Sequence, residues 1–314
     1  MQFRRIEDAD FCEIDKILAK TEYNGSEYSP LYLKGWKFFN YESMQIAYEN
    51  GVIYLRFLPH AEYFDEEIGV EGYVYLPPLT TIDKIKAAYD DLADFCLSQG
   101  EKMYVMSTPE EYVQLLDSDK YNLAINHDYD EYLYDPHDLI NLEGKKYHSK
   151  RNHIKRFVET YSTSADGKGY VFRSYQPSDY ERVLQLISGW QSTKSFDEEY
   201  SDSEADELKL VKMALGRVGT CPRCFADVIE YDGKIIAFSM GEITPSGVGI
   251  THIEKGDIAY NGVYPAICQM FAKKHFENCR LVNRQEDMGL EGLRRSKRSL
   301  YPVGWAQKYA VTLK

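Results

Sequence analysis

Residues 225–240 have the sequence FADVIEYDGKIIAFSM. Two apolar runs, Phe225–Tyr231 and Ile235–Met240, flank the pair Asp232-Gly233. Asp-Gly accommodates the positive φ angles of a tight turn, so this arrangement is typical of an antiparallel hairpin. The pattern after the hairpin indicates a strand, a long helix and a short buried strand, at Gly249–Ile253, Val263–Phe276 and Leu281–Val282.

The first half of the chain repeats this order of elements. Its hairpin turns at Asn50-Gly51, between Met44–Tyr48 and Val52–Leu58. A strand, a helix and a short strand follow, at Glu71–Tyr75, Thr81–Leu97 and Met103–Met106. Residue identity between the halves is negligible, so the alternative is a coincidence of the kind that any mixed α/β protein shows. We predict an α/β (α+β) fold of two similar mixed sheets, each with a helix packed across it.

A long helix is predicted at Lys145–Tyr161, between the two repeats. At 100° per residue, its apolar side chains form one narrow stripe that should face the core, namely Tyr147, Ile154, Val158 and Tyr161. Arg151 lies at the border of this stripe. The prediction is a first domain at residues 1–143, a linker helix at residues 144–161 and a second domain at residues 162–314, with the site in the second domain.

Charge is distributed unevenly along an acidic chain. The 314 residues carry a formal net charge of −13. Lys and Arg number 11 against 28 Asp and Glu up to Asn141, and 26 against 22 from Leu142 onward. The first half is therefore poorly suited to a polyanion, which disfavours a general RNA-binding protein, whereas the second half has the cations to bind an anion locally.

The composition disfavours several other classes of protein. No stretch approaches the roughly 20 apolar residues that a membrane-spanning helix needs, so no integral membrane contact is expected. Six cysteines in a chain of this length do not form a disulfide framework, and they fit a reducing cytoplasm. Cys221 and Cys224 form an isolated C-x-x-C without a second pair spaced for zinc. We therefore expect no metal and no tightly bound cofactor.

Two short segments concentrate positive charge. Residues 144–157 read GKKYHSKRNHIKRF, and residues 292–305 read GLRRSKRSLYPVGW. Concentrated cations in an acidic protein indicate an anionic ligand such as a phosphate, a carboxylate or a nucleic acid backbone. The candidate anion-binding residues are Arg151, Arg294 and Lys297, of which the last two point the same way on one short helix. A salt bridge to an internal carboxylate is the competing interpretation for each.

Polar residues follow the last buried strand, in the run Val282–Gly289. Open α/β sheets place their sites at the carboxyl ends of strands, so Asn283 and Glu286 are candidate substrate-binding residues. Salt bridges from Glu286 and Asp287 to nearby arginines are the competing interpretation.

Another strand end supplies candidate catalytic residues. In Thr251–Asp257, alternation places His252 and Glu254 on one face, where they form a candidate base and its orienting partner. A structural role for a single histidine is the competing interpretation. Tyr264 follows at the start of the next helix, whose backbone N–H groups are suited to holding a carboxylate or a phosphate.

The segments RNHIKR (151–156) and LRRSKRSLYPVGW (293–305), followed by Lys308-Tyr309, resemble the catalytic C-terminal domain of phosphatidylglycerol lysyltransferases. That domain also occurs as a soluble stand-alone family. The resemblance implies two tandem GNAT-like folds, related to the Fem-type aminoacyltransferases, and transfer of an aminoacyl group from aminoacyl-tRNA to a lipid hydroxyl or a cell-wall amine. The chain departs from acetyl-CoA-dependent GNAT enzymes in one place, because Asn261–Ala266 replaces their phosphate-cradling glycine motif.

These observations lead to one functional prediction and one alternative. We expect an acyltransferase that moves an aminoacyl or acyl group from aminoacyl-tRNA or acyl-CoA to an amine or hydroxyl of a small-molecule or peptide acceptor, with tRNA as a partner. Glu254 or His252 would take the proton, and the three candidate cations would neutralise donor phosphate or the developing oxyanion. The alternative is a non-catalytic module that binds a small anionic metabolite in the same cleft.

Overall fold

The structure, a computed structural model, describes residues 1–35, 40–59, 72–163, 167, 169–194, 208, 211–216, 218 and 223–314. The acidic run Asp197–Glu207 and Cys221 of the C-x-x-C motif lie outside these ranges. Within them, no helix is long and apolar enough to cross a membrane.

Strands from both halves build the sheets. Those of the first half are β1 (Arg4–Arg5), β2 (Gln45–Glu49), β3 (Val52–Phe57), β4 (Val74–Tyr75), β5 (Tyr104–Pro109), β6 (Tyr121–Ile125) and β7 (Glu131–Tyr134). Those of the second half are β8 (Val171–Ser174), β9 (Cys224–Tyr231), β10 (Lys234–Ile243), β11 (Val248–Gly256), β12 (Leu281–Asn283), β13 (Gly304–Ala306) and β14 (Lys308–Leu313).

Helices connect and cover these strands. They are α1 (Asp10–Leu18), α2 (Pro30–Gly35), α3 (Ile85–Gln99), α4 (Glu110–Val113), α5 (Pro136–Asn141), α6 (His148–Tyr161), α7 (Tyr180–Lys194), α8 (Val263–His275) and α9 (Glu291–Arg298). Short 3-10 turns occur at Tyr41–Ser43, Ile82–Lys84, His127–Tyr129, Lys145–Tyr147 and Pro177–Asp179.

The two sheets of the described chain have the same order of strand positions. The first runs β1-β2-β3-β4-β5-β14-β6, and the second runs β8-β9-β10-β11-β12-β7-β13. Each contains a hairpin, β2/β3 or β9/β10, and a parallel pair, β4/β5 or β11/β12. Helix α3 connects the first parallel pair and α8 connects the second. Both sheets are mixed, so the predicted two-sheet α/β architecture is confirmed.

The hairpin turns adopt the backbone conformation that their residues favour. The φ angles are +52° at Asn50 and +78° at Gly51, and they are +48° at Asp232 and +72° at Gly233. Two consecutive residues at positive φ are typical of the type I′ turn, whose twist matches that of the flanking strands. The two Asx-Gly pairs therefore set the register of both hairpins.

The two halves exchange one strand each. β7 follows the first-half strand β6 but pairs with β12, with Tyr134 opposite Val282. β14 follows the second-half strand β13 but pairs with β5 and β6, with Tyr309 opposite Thr108. Neither sheet is therefore built from residues 1–143 or residues 162–314 alone, and these predicted bounds describe the order of the chain, not the composition of the sheets.

The linker helix packs on the second sheet through a face that overlaps the predicted one. Tyr147 of the predicted stripe is buried, and Tyr161 packs on the core cluster that contains Phe157. Phe157 is fully buried, whereas Val158, which was expected to face the core, is 36% exposed. A Cβ atom at Gly262 would lie 2.5 Å from the carbonyl oxygen of His153, so α6 contacts the loop before α8 directly. Helix α6 thus joins the two halves and covers the amino end of α8.

Candidate active site

The parallel pair β11/β12 opens at its carboxyl end. The two strands pair only from Val248 opposite Leu281 to Ile250 opposite Asn283. β12 then ends, whereas β11 continues to Gly256 with β10 on its other side. Polar side chains, instead of a neighbouring strand, lie beside the last residues of β11.

Arg284 occupies this opening. Its Nη2 donates to Glu254 Oε1 at 2.8 Å, and its Nη1 lies 3.0 Å from Cys268 Sγ. Burial raises the pKa of the Cys268 thiol to about 12, so this thiol is neutral at physiological pH. The predicted base Glu254 is a neighbour of the opening, as expected, but its carboxylate is already engaged by the guanidinium.

Lys297 adds a second cation. Its Nζ donates to the carbonyl oxygens of Arg284 and Gln285, the latter at 3.1 Å. Burial, and then the charge of Arg284, lower the pKa of Lys297 to about 8. The predicted roles of Lys297 were an anion contact or a salt bridge, but its amine instead binds the carbonyl groups that follow β12.

The linker helix contributes Lys150 to the same place. Burial lowers the pKa of Lys150. The charge of Arg284 lowers this pKa further, whereas that of Glu254 raises it. Arg151, which the sequence analysis selected, donates from Nη1 to the carbonyl oxygens of Leu142 and Gly144, the latter at 2.8 Å. Successive helical residues point about 100° apart, so only one of the two can face the opening. Arg151 instead ties α6 to the end of α5.

Glu286 supplies an acid with an unused oxygen. Its Oε2 is buried, and no described residue forms a hydrogen bond with it. The negative charge of Glu286 raises the pKa of Lys297, which offsets part of the lowering by burial. Salt bridges were the competing interpretation for both Glu286 and Asp287, and Asp287 forms one, since Arg294 donates to both Asp287 oxygens at 2.9 Å. We call the group in and around the opening the polar cluster; its members are Lys150, Glu254, Cys268, Arg284, Glu286 and Lys297.

Arg294 lies outside the polar cluster. It holds Asp287, whose Oδ2 also accepts from the Tyr132 hydroxyl at 2.6 Å, and it binds Asp128 as well. Burial raises the pKa of Asp287, but the hydrogen bonds from Arg294 and Tyr132 outweigh it and bring the pKa to about 2. Arg294 and Lys297 are therefore not brought together on one ligand, and Arg294 fastens α9 to the loop after β12.

His252 is enclosed beside Gln285. Its Nε2 lies 3.0 Å from Glu242 Oε1 and 3.4 Å from Ser29 Oγ, and its Nδ1 lies 3.4 Å from Gln285 Nε2. Burial raises the pKa of Glu242, but the hydrogen bond to His252 outweighs it and leaves that pKa below its usual value. Both ring nitrogens have partners, so these contacts fit the structural role that was the competing interpretation for this histidine.

Asn283 belongs to a buried network built by the strand exchange. Its Nδ2 donates to Glu131 Oε2 at 2.6 Å and to the carbonyl oxygen of Asn24 at 2.8 Å. Lys308 Nζ binds Glu131 Oε1 at 2.9 Å and Glu27 Oε1 at 2.7 Å. Sequence reasoning missed Glu27, Glu131 and Lys308, because their proximity depends on pairing between the two halves.

Tyr264 lies at a helix end with few free donors. The backbone N–H of Val263 donates to the carbonyl oxygen of Tyr260 at 3.1 Å, and Pro265 has no N–H group. A Cβ atom at Gly256 would lie 3.4 Å from the Tyr264 ring, so this ring packs on the end of β11. The start of this helix therefore has few free N–H groups to offer the anion that was predicted to bind there.

The two basic segments meet in the structure. The Tyr147 hydroxyl donates to the carbonyl oxygen of Leu300 at 2.9 Å, and the Tyr147 and Tyr301 rings pack edge to face at 5.2 Å. Lys146 Nζ lies 5.4 Å from the centre of the Tyr301 ring. Exposed cations flank this contact, namely Lys145, Lys146, Arg295 and Arg298.

The fold and the polar cluster define a mixed α/β protein of two strand-exchanged sheets, with its polar site where a parallel pair opens. The chain belongs to the family of phosphatidylglycerol lysyltransferase C-terminal domains, whose model matches residues 64–312. Membership of this family supports an acyltransferase type of function.

Relatives in sequence or in structure match nearly the whole chain. A conserved protein of unknown function from Bacteroides thetaiotaomicron is 24% identical, covers 100% of both chains and superposes with a TM-score of 0.85. The L-PGS of Bacillus licheniformis is 14% identical over 90% of this chain and 89% of its own, with a TM-score of 0.58. An uncharacterized protein of Mycoplasmoides gallisepticum is 22% identical over 90% of this chain and 91% of its own length.

Proposed function

We propose that this protein moves an aminoacyl or acyl group from an activated ester to an amine or hydroxyl acceptor. One observation carries the proposal: the buried Oε2 of Glu286, just after β12, has no hydrogen-bond partner among the described residues, and the charge of this carboxylate acts on the enclosed Lys297 amine, whose pKa is about 8. Acyl transfer needs one group to accept a proton and another to stabilise the developing oxyanion. The polar cluster contains both kinds of group.

Each member of the polar cluster has a role in this proposal. The acceptor nitrogen or oxygen attacks the donor carbonyl carbon, and Glu286 accepts the proton that the acceptor loses. Lys150 and Lys297 neutralise the negative charge that forms on the carbonyl oxygen. The ester C–O bond then breaks, and Lys297 gives a proton to the leaving oxygen. Arg284 is held by Glu254 at 2.8 Å, and its carbonyl group accepts a hydrogen bond from Lys297 and so helps to position that amine.

The packing at α8 supports aminoacyl-tRNA over acyl-CoA as the donor. A coenzyme A pyrophosphate needs free backbone N–H groups at a helix start. Here α6 packs on Gly262, the Val263 N–H is already bonded, and Pro265 has none. The exposed cations around the Tyr147–Tyr301 contact suit a nucleic acid backbone instead.

Transfer of label from charged tRNA tests the proposal. tRNA carrying ¹⁴C-lysine or ¹⁴C-alanine is incubated with the protein and, separately, with cadaverine, glycine or phosphatidylglycerol vesicles as acceptor. Glu286→Gln is isosteric, and we expect it to lower the transfer rate by about 10²-fold. Lys297→Met should lower it by about 10²-fold as well, whereas Lys20→Met, at an exposed position outside both basic segments, should not change it. Unchanged rates in both site variants, or no transfer above buffer for any acceptor, would contradict the proposal.

A non-catalytic anion-binding module is the second candidate. The contacts of Glu254 with Arg284 and of His252 with Glu242 favour it, because both predicted bases are already engaged. In that case citrate or pyrophosphate should bind with an affinity that Lys297→Met weakens. The labelled tRNA should then remain charged in the presence of the wild-type protein.

A further inference from the structure

The two sheets are open and therefore have edge strands. In the part of the chain that the structure describes, these edges are β1 and β6 of the first sheet and β8 and β13 of the second. An edge strand directs one row of backbone N–H and C=O groups away from its sheet, where the strand of another chain can pair with them. Proteins usually protect this row with charged side chains, with proline or by keeping the strand short.

Three of these edges are protected, and β6 is not. β1 consists of two arginines, and β8 has four residues that include Arg173. β13 has three residues and begins two positions after Pro302. β6 has the sequence Tyr-Asn-Leu-Ala-Ile, which contains no charge, proline or glycine, and its central residue, Leu123, is 43% exposed. An uncharged edge of this length is suited to pairing with a further strand.

The register of β6 on β14 shows which of its backbone groups point outward. The Lys314 N–H donates to the carbonyl oxygen of Lys120 at 3.0 Å, so these two residues form a hydrogen-bonded pair. Such pairs alternate along antiparallel strands, and the pairing continues without a bulge to the end of β6. Asn122 and Ala124 therefore bond to β14 through their backbone, and the residues between them do not.

The outward groups belong to Tyr121, Leu123 and Ile125. The Tyr121 N–H turns back and donates to the carbonyl oxygen of Asp117 at 3.0 Å. The outward donors are thus the N–H groups of Leu123 and Ile125, and the outward acceptors include the carbonyl oxygens of Tyr121 and Leu123. This pattern is self-complementary about Leu123.

We propose that β6 pairs with β6 of a second copy of this chain, antiparallel and with a two-fold axis at Leu123. In this register each Leu123 N–H donates to the Leu123 carbonyl oxygen of the other copy, and each Ile125 N–H donates to the Tyr121 carbonyl oxygen. Every outward donor then has an acceptor, and the first sheets of the two copies become one continuous sheet. A two-fold interface of this kind is the commonest arrangement of homodimers.

Charges at the two ends of β6 favour the same orientation. Lys120 precedes the strand and Asp128 follows it, and both side chains stay partly exposed, at 33% and 45%, although each has an ion-pair partner in its own chain. Antiparallel pairing brings Lys120 of each copy toward the strand end that leads to Asp128 of the other. Parallel pairing would instead bring like charges together. Because five residues span only about 17 Å, the interface is small and a micromolar dissociation constant is expected.

Self-association of the purified protein tests the proposal without any turnover. Sedimentation equilibrium of the wild type, from micromolar to millimolar concentration, should show a monomer–dimer equilibrium. Leu123→Lys places two like charges on the axis and should weaken association at least about tenfold. Val171→Lys is the matched control, because Val171 is 45% exposed on the edge strand β8, and it should associate as the wild type does. Leu123→Pro removes an outward N–H and no bond to β14, so it should also give a folded monomer.

A cysteine at the axis tests the register. Hydrogen-bonded antiparallel pairs have Cα atoms about 5.5 Å apart, a distance that a disulfide can bridge. With the exposed Cys12 replaced by serine, Leu123→Cys should form a covalent dimer on mild oxidation, and Val171→Cys should not.

These outcomes are independent of the transfer reaction, since Glu286→Gln should associate as the wild type does. Circular dichroism and thermal unfolding verify that each variant is folded, and Leu123→Cys tests the pairing with its backbone bonds intact. A wild type that stays monomeric at every concentration would overturn the proposal and leave the edge to a strand of another protein. Equal association of Leu123→Lys, Val171→Lys and the wild type would place any dimer on another surface.

Discussion

Glu131 and Lys308 begin the two exchanged strands, and they bind each other at 2.9 Å with side chains that are 0% and 9% exposed. β7 carries Glu131 from the first half into the second sheet, and β14 carries Lys308 in the opposite direction. A buried charge is costly unless it is paired, so both strands must be seated before either charge is compensated. The ion pair therefore couples the two sheets to each other.

Substitution of Lys308 should show how much this ion pair contributes to stability. Lys308→Met leaves Glu131 and Glu27 buried without their cation, and we expect the free energy of unfolding to fall by about 3–5 kcal/mol. Urea unfolding followed by circular dichroism measures the loss. Lys120→Met is the control, because Lys120 and its partner Asp90 are 33% and 39% exposed, and it should cost less than about 1 kcal/mol. The double variant Lys308→Met/Glu131→Gln should recover part of the stability; equal losses for Lys308→Met and Lys120→Met would refute the coupling.

Sequence patterns predicted the local elements of this fold well. The two Asx-Gly turns, the helix at Val263–His275 and the linker helix are each encoded by neighbouring residues, and all appear within a few residues of the expected bounds. The strand exchange was not foreseen, because β7 and β14 have the length and composition of ordinary strands. Their choice of sheet is decided by pairing with residues more than a hundred positions away.

The sequence predicted the region of the candidate site but not every residue that contributes to it. The strand exit after Val282 and the two basic segments directed attention to Glu286 and Lys297 from sequence alone. Which of Lys150 and Arg151 faces the opening depends on how α6 is seated on the second sheet, where it lies in close contact with Gly262. For this reason Lys150 replaces Arg151 in the cluster.

Lys297 should make stability depend on alkaline pH. Its pKa is about 8 in the folded protein, against 10.5 for an ordinary lysine. Between these values the unfolded chain binds more protons than the folded protein, so the free energy of unfolding rises as pH increases from about 8 to 10.5. Relative to Lys297→Met, the wild-type protein should gain roughly 2 kcal/mol between pH 7.5 and 9.5. Urea unfolding of both proteins across this range measures the difference, and a difference that does not change with pH would show that the amine is not enclosed.

Lys297→Met should lower the free energy of unfolding more than the substitution of an exposed lysine would. Lys297 Nζ donates to two backbone carbonyl groups, and their loss leaves buried acceptors without partners. An exposed lysine has no such bonds to lose, and its substitution would change the melting temperature by only a few degrees. Each unsatisfied acceptor costs about 1–3 kcal/mol, so a larger fall is now expected at neutral pH.

Asp287 should make stability depend on acidic pH in the same sense, so that stability again rises with pH. Its pKa of about 2 lies below the usual 3.8, because the hydrogen bonds from Arg294 and Tyr132 outweigh the effect of burial. The folded protein therefore binds fewer protons than the unfolded chain between these values, and this contribution to stability is lost as pH falls from about 4 to 2. Thermal unfolding from pH 5 to pH 2 should show a smaller acid-induced loss in Asp287→Asn than in the wild type. The exposed Glu143→Gln should follow the wild type, and parallel curves for all three proteins would count against the role of Asp287.

Two glycines provide a matched pair for the packing of the linker helix. Gly262 has a φ of +86°, and a Cβ atom there would lie 2.5 Å from the carbonyl oxygen of His153 and 3.0 Å from the Cβ of Phe157. Gly292 lies within α9, and a Cβ atom there would meet nothing within 4 Å. Gly262→Ala should therefore lower the free energy of unfolding by at least about 1–3 kcal/mol, whereas Gly292→Ala should raise it by up to about 1 kcal/mol because alanine favours helix.

The same pair tests whether α6 positions the polar cluster. Gly262→Ala can be accommodated only if α6 moves away from α8, and that movement would take Lys150 away from Arg284 and Glu254. Transfer from charged tRNA should then fall even at temperatures where the variant remains folded, while Gly292→Ala keeps the wild-type rate. If folded Gly262→Ala protein transfers as fast as the wild type, Lys150 does not take part in the reaction.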